Sequence, residues 1–195
     1  MRLLLKIWML IGFCIETVIA RIRWSNCLTV EGLFRKRSDT QIIITEGSLM
    51  KIDKNVNFQR NVSLSSVYGG RLKIGKNISF NRNCIVVCHN EIVIHDNVIF
   101  GPGVTIYDHD HKFSEEGILS GFNHGSVTIE KGCWIAANVT ILRGTHIGEG
   151  SVIGAGVVVK GDIPAHSLVT GERSLKIIPI RKRIAQNFNE NVKTV

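Results

Sequence analysis

An all-β chain wound as a parallel β-helix is the fold this sequence predicts, and three observations predict it. The first is a period of six. Across IEKGCWIAANVTILRGTHIGEGSVIGAGVVVKGDI, residues 129–163, the positions Ile129, Ile135, Ile141, Ile147, Ile153 and Val159 recur without a slip. A fixed short period of this kind marks a solenoid built from hexapeptide repeats. The second is a companion set four residues later, Cys133, Val139, Thr145, Ser151, Val157 and Ile163, mostly small or β-branched. A prism with three flat faces needs an inward residue per face and then a tight corner, which Gly, Asn or Asp relieves. Asn138, Gly148 and Gly154 fall where such corners belong. The third is what the pattern excludes. An amphipathic α-helix repeats at three and four, and each glycine in its interior would cost about 1 kcal/mol relative to alanine.

The same six-residue phase runs through the N-terminal half in shorter stretches. Ile52, Phe58 and Leu64 form one run, Ile74, Phe80 and Val86 a second, and Ile94, Phe100 and Ile106 a third. Val56, Val62, Ile78, Cys84, Val98 and Val104 keep the four-residue offset. Jumps between the runs imply small loops at corners. Residues 44–166 therefore read as one solenoid of roughly six coils, each coil three hexads, closed at its ends by non-repeating segments.

Before it, residues 1–43 comprise an apolar stretch and a basic connector. LLLKIWMLIGFCIETVIA, residues 3–20, is interrupted by Lys6 and Glu16, so it is marginal against the roughly 20 apolar residues of a spanning helix. Three readings stand: a signal peptide, a helix lying on a membrane surface beside Arg21 and Arg23, or a helix docked on protein. After the solenoid, Pro164 is expected to end the regular pattern. Residues 167–195 read as a short strand or loop and a basic helix, 180–189, capping the prism.

Composition narrows the function classes. The 195 residues are 44% hydrophobic and 21% charged, ordinary for a chain with a packed core. A net charge of +8 points to an acidic neighbour: a phosphorylated cofactor, anionic lipid or nucleic acid. Nucleic acid is not expected, because the basic residues are scattered and no nucleic-acid-binding motif accompanies them. Five cysteines without paired CxxC spacing indicate neither a disulfide framework nor a structural zinc site. Cys84 and Cys133 take the small inward position of their hexads and read as buried filler.

One long insertion breaks the period: YDHDHKFSEEGILSGFNHGSV, residues 107–127. Loops inserted into a regular scaffold tend to carry function, and this one holds His109, His111 and His124.

WIAANVTILRGTHIGEGSVIGAGVVVKGDIPAHSLVTG resembles the C-terminal half of the hexapeptide-repeat acyltransferases. GKNISFNRNCIVVCHNEIVIHDNVIFGPGVTIYDHDHKF is similar to the central half of their maltose and galactoside O-acetyltransferase branch. The resemblance implies a left-handed β-helix, a homotrimer with active sites between subunits, and acetyl-coenzyme A as acyl donor with no metal. It implies a catalytic role for His111, which ends the motif running from Val104 through Ile106 and Tyr107. An imidazole that is neutral near pH 7 is chemically suited to take the proton from a sugar hydroxyl as it attacks a thioester. His109, Asp108 or Asp110 would orient it. Asn81 matches an asparagine that a neighbouring subunit contributes to the acceptor site. Cys88 and His89 replace the acidic pair that follows in sugar-specific members, which departs from the usual small-sugar acceptor.

Trp134 matches an aromatic residue of the active-site channel. Standing just ahead of inward Ile135, it should point outward, available for a ligand or a subunit. Ala137 and Ala155 match small residues against which the pantetheine arm lies. Lys160 and Lys176 are approximate counterparts of the residues near the adenosine phosphates, with Arg173, Arg181 and Lys182 as further cations.

The expected function is an acetyl-coenzyme A-dependent O-acetyltransferase acting on a sugar of a capsular, exopolysaccharide or lipopolysaccharide precursor. It would work in the cytoplasm, where the donor is found, and the apolar N-terminus would hold it at the inner membrane face. A zinc lyase like the γ-class carbonic anhydrases is an alternative, drawing on His89, His95, His109 and His111 but lacking that family's spacing. A non-catalytic trimeric scaffold is another, although it would need neither the His111 loop nor Trp134.

Overall fold

The computed structural model describes residues 26–171 except 33, 34 and 38, together with helical positions Ile11, Gly12, Ile15, Val18 and Ile19. The predicted helix 180–189 and the cations Arg173, Lys176, Arg181 and Lys182 lie outside the described residues. No helix among the described residues is long and apolar enough to cross a membrane.

The chain winds as a three-sided parallel β-helix, and the faces can be followed coil by coil. Strand β1 (Leu28–Val30) opens face A and β2 (Gln41–Ile44) face C. The second coil is β3 (Leu49–Ile52), β4 (Asn57–Phe58) and β5 (Ser63–Ser66), on faces A, B and C in turn. The third repeats this with β6 (Arg71–Ile74), β7 (Ser79–Phe80) and β8 (Ile85–Cys88). The fourth is β9 (Glu91–Ile94), β10 (Ile99–Phe100) and β11 (Thr105–Tyr107), followed by an excursion, β12 (His109–Ser114) and β13 (Gly117–His124). The regular hexads then return as β14 (Val127–Ile129), β15 (Trp134–Ile135) and β16 (Thr140–Ile141). Next come β17 (His146–Ile147), β18 (Val152–Ile153) and β19 (Val158–Val159), and last β20 (Asp162–Ile163) and β21 (Leu168–Val169).

Both phases read from the sequence point inward. Ile129, Ile135, Ile141, Ile147, Ile153 and Val159 are buried, as are Cys133, Val139, Thr145 and Ser151. Identical positions stack on the coil below: Phe58, Phe80 and Phe100 form one column, with ring centroids 5.3 Å and then 4.6 Å apart. Cys84 and Cys133 are buried free thiols; desolvation pushes Cys84 up to about 11 and raises Cys133. They are packing residues.

The corners are left-handed single residues, and asparagine fills many of them. Asn55, Asn61, Asn77, Asn83, Asn97 and Asn138 all have φ between 56° and 61°. Asparagine tolerates this region, and its amide also bonds the equivalent residue one coil away, as in Asn55 to Asn77 (3.1 Å) and Asn77 to Asn97 (3.0 Å). Two predicted corner glycines serve a different end. The left-handed residues are Gly150 and Gly156, two places after Gly148 and Gly154. Gly148 is needed for closeness: a Cβ there would lie 2.4 Å from the Ala165 nitrogen.

Three boundaries differ from the sequence reading. Strand β1 lies inside the segment read as a connector and pairs with β3. Pro164 does not end the pattern, because it occupies a corner and β21 follows, paired with β18. The insertion, read as a long loop, folds as an antiparallel hairpin, β12 with β13.

The phenylalanine column yields a stability prediction. Phe80→Ala should lower unfolding free energy by about 3–5 kcal/mol, the usual cost of emptying such a site. Ile99→Ala, on the outward and half-exposed side of β10, should change it by no more than about 0.5 kcal/mol. Urea denaturation of both variants measures the difference.

Candidate active site

The hairpin leaves the prism at the corner between faces C and A, and that corner carries the site. In the second coil the corner holds Tyr68, in the third His89 and in the fourth His109. Register explains how they meet. Strands β8 and β11 pair Val87 with Tyr107, and continuing the ladder sets Cys88 beside Asp108 and His89 beside His109. The two imidazoles stack, centroids 3.4 Å apart and planes within 4°. Tyr68, left-handed at φ 55°, stands edge-on to His89 at 4.7 Å.

Asp108 points inward. The alternation is visible in the sequence, since Asp108 follows inward Ile106 by two, as Cys88 follows Val86 and Ser66 follows Leu64. All three are fully buried. A buried carboxylate is costly unless hydrogen-bonded, and this one accepts from the backbone N–H of His89 (2.9 Å), the N–H of Asn90 (2.8 Å) and the Nδ1 of His109 (3.0 Å). Burial, and then the neighbouring Asp108, pushes the Cys88 thiol up to about 12. Burial also pulls His89 down to about 4, with the charge of His109 acting in the same direction. The Nδ1 of His89 is buried without a hydrogen-bond partner among the described residues.

His111, the residue singled out by the sequence, is exposed on β12. Neither Asp108 nor Asp110 holds it: Asp108 is bonded to His109, and Asp110 pairs with Arg143 at the turn after β16. What His111 touches is Phe122, its cross-strand partner, at 4.7 Å between centroids. Phe122 also meets His109 (5.4 Å) and His89 (4.8 Å), and so gathers the cluster. The sequence reading missed Phe122 because the hairpin lies outside the six-residue period and offers no phase by which to judge it.

The remaining predicted site residues fall on other parts of the prism. Asn81, Ala137 and Ala155 share the corner between faces B and C in the third, fifth and sixth coils. Asn81 is exposed, its carboxamide oxygen accepting from the Arg82 N–H at 2.8 Å. Backbones are close along this edge: Ala137 O accepts from the Gly156 N–H at 2.8 Å, and a Cβ on Gly101 would lie 2.6 Å from Ala137 N. Trp134 points outward from face B, 52% exposed, beside Ile99 and Val152. Lys160 is exposed at the C–A corner two coils beyond the hairpin. One chain therefore does not bring Asn81 and His111 to the same edge. The four histidines of the zinc reading are not gathered either. His95 is at the A–B corner facing Glu130 at 3.8 Å, and no group of three or more potential ligands among the described residues is arranged to hold a metal.

Residues 126–161 match the family model for the bacterial transferase hexapeptide, six repeats. That segment carries the hexapeptide repeat. Among curated relatives it is 38% identical over 87 residues to a galactoside O-acetyltransferase of Lactococcus lactis subsp. lactis, covering 44% of this chain and 42% of that one. The hexapeptide-repeat chain spans about half the length, or less, of the curated relatives it matches. Among solved structures it resembles a hexapeptide-repeat containing acetyltransferase from Vibrio cholerae, with TM-score 0.53 and 28% identity, over 67% of this chain and 75% of that one. An N-acyltransferase from Bacillus cereus, in complex with dTDP and coenzyme A, matches over 90% of this chain and 97% of its own at TM-score 0.64. At 20% identity that last likeness is one of fold.

The His89 environment predicts how stability depends on pH. In the unfolded chain His89 binds a proton near pH 6.5, but in the fold only near pH 4, so the unfolded state holds more protons between those values. Stability should be complete above pH 6.5 and fall as pH drops toward about 4. Urea unfolding from pH 7.5 to 4 should show this slope, and His89→Gln should flatten it.

Proposed function

We propose that this hexapeptide-repeat protein is an acetyl-coenzyme A-dependent O-acetyltransferase, transferring acetyl directly to a sugar hydroxyl with His111 as general base. The observation that carries the reading is the hairpin. Among the described residues the β-helix is interrupted by a hairpin at one corner, and this hairpin presents an exposed imidazole ending a motif that resembles that of galactoside O-acetyltransferases. In the reaction, the His111 imidazole takes the hydroxyl proton as the sugar oxygen attacks the thioester carbonyl. The C–O bond forms, the C–S bond breaks, and the electron pair leaves on sulfur. No nucleophilic serine or cysteine is required, in keeping with the raised pKa of the buried thiols.

The donor would lie along the B–C edge, where Ala137 and Ala155 leave room for a pantetheine arm against the backbone. Lys160, which stands at the C–A corner and so would come from the neighbouring chain of the trimer, and Lys176 would meet the phosphates as point charges. Asn81 and Trp134 would contribute to acceptor binding. Because Asn81 and His111 occupy different corners of one chain, a homotrimer that sets one chain's B–C edge against the next chain's hairpin would complete the site.

The acceptor we favour is a sugar of a capsular, exopolysaccharide or lipopolysaccharide precursor. Cys88 and His89 stand where small-sugar enzymes have an acidic pair, and the chain carries +8 charge. Ile11, Ile15, Val18 and Ile19 are helical, exposed, and spaced to share one helical face. Such a stripe would rest on the inner face of the cell membrane, beside lipid-linked precursors.

Thiol release from acetyl-coenzyme A, assayed with simple sugars and undecaprenyl-linked oligosaccharides as acceptors, tests the reading. His111→Ala should lower kcat about 10²–10⁴-fold, the usual range for a general base, with little change in the KM for acetyl-coenzyme A. Wild-type protein that binds no coenzyme A would refute the transferase reading and turn attention to bound zinc.

A further inference from the structure

The resemblance selects His111, yet the better-built imidazole in the cluster is its neighbour, His109. Its side chain is 12% exposed and its Nδ1 is 3.0 Å from a carboxylate that is itself fully buried. An ionised carboxylate only accepts hydrogen bonds, so Nδ1 carries the proton and Nε2 is the nitrogen free to exchange one. Nε2 has no hydrogen-bond partner among the described residues and is not among their buried, unpartnered atoms. The geometry is that of a carboxylate-held imidazole, whose tautomer and orientation are set by the acid.

The groups around His109 divide cleanly. His89, stacked on it, is kept neutral by burial. Cys88 has its thiol pushed far above neutral pH and stays uncharged. His124 is its partner across the hairpin ladder, and Tyr107 and Phe122 present ring edges at 6.0 and 5.4 Å. Asp110, next in sequence, is taken by Arg143. Among the described residues, Asp108 is thus the one carboxylate bonded to His109. His111 follows by two residues on β12, on the same side of the strand, and both rings rest on Phe122.

Resting on the acyl-transfer reading, we propose that His109 is a second catalytic imidazole, the one that returns a proton to the leaving sulfur, with Asp108 as its positioning residue. His111 takes the hydroxyl proton as the C–O bond forms. As the C–S bond breaks, the electron pair goes to sulfur, and protonated His109 gives its Nε2 proton to that sulfur. His111 then loses its proton to water and His109 regains one, so the cycle closes with acetyl ester and free thiol as products.

Two measurements on the full chain test the proposal. Two-bond ¹H–¹⁵N spectra of histidine-labelled protein should show neutral His109 as the Nδ1–H tautomer. Asp108→Asn, whose carboxamide oxygen can still accept the His89 and Asn90 N–H groups, should switch that tautomer. In the thiol-release assay, His109→Gln should lower kcat about 10²-fold, leaving the KM for acetyl-coenzyme A within about threefold. Neutral wild-type His109 protonated on Nε2, or a His109→Gln kcat within about threefold of wild type, overturns the proposal. Wild-type protein with no acetyl-coenzyme A turnover overturns the transferase reading and the sulfur step together. The tautomer then decides the Asp108–His109 pair by itself.

Discussion

Everything in this molecule depends on like stacking on like along the axis of the prism. Each coil hydrogen-bonds to the coil on either side, and each inward side chain lies against the same position one turn away. The Phe58–Phe80–Phe100 column and the asparagine ladder at the corners are two forms of that one constraint. It is local between neighbouring coils yet continuous over the chain, as expected for a quasi-one-dimensional solenoid. A residue out of phase by one would turn its side chain outward and break two contacts, one above and one below.

The site uses the same constraint in a polar form. Ser66, Cys88 and Asp108 form an inward column at the end of face C, ending in a carboxylate where the hairpin begins. The charge at its top is tolerated because the corner of the coil below offers two backbone N–H groups, from His89 and Asn90, and the next residue offers an imidazole. The hairpin grows from a point where the core ends in a satisfied charge. Stacking then carries order outward, from Tyr68 and His89 to His109 and through Phe122 to His111.

Legibility in the sequence followed periodicity. Every inward position assigned by the six-residue phase from Ile52 to Ile153 is buried, and Trp134 points outward as its place ahead of Ile135 required. Where the period stopped, the reading lost its footing. The insertion reads as a loop, and nothing in the sequence singles out Phe122. The sequence offers Asp108 as a partner for His111, whereas it bonds His109. Gly148 and Gly154 read as turn residues, because sequence does not separate a glycine needed for φ from one needed for closeness. Asp108 was within reach, since its inward phase follows directly from Ile106.

By itself the sequence determined the solenoid, its register and its inward columns, because a repeat of six on a β-helix has one phase that buries the apolar set. It also marked the corner where function would lie, by interrupting that repeat with a histidine-rich segment. Only the tertiary structure decided which histidine receives the buried carboxylate, which is stacked and neutral, and which stands exposed. Those outcomes depend on contacts between residues a whole coil apart, and on a hairpin whose antiparallel register is set by pairing across the insertion.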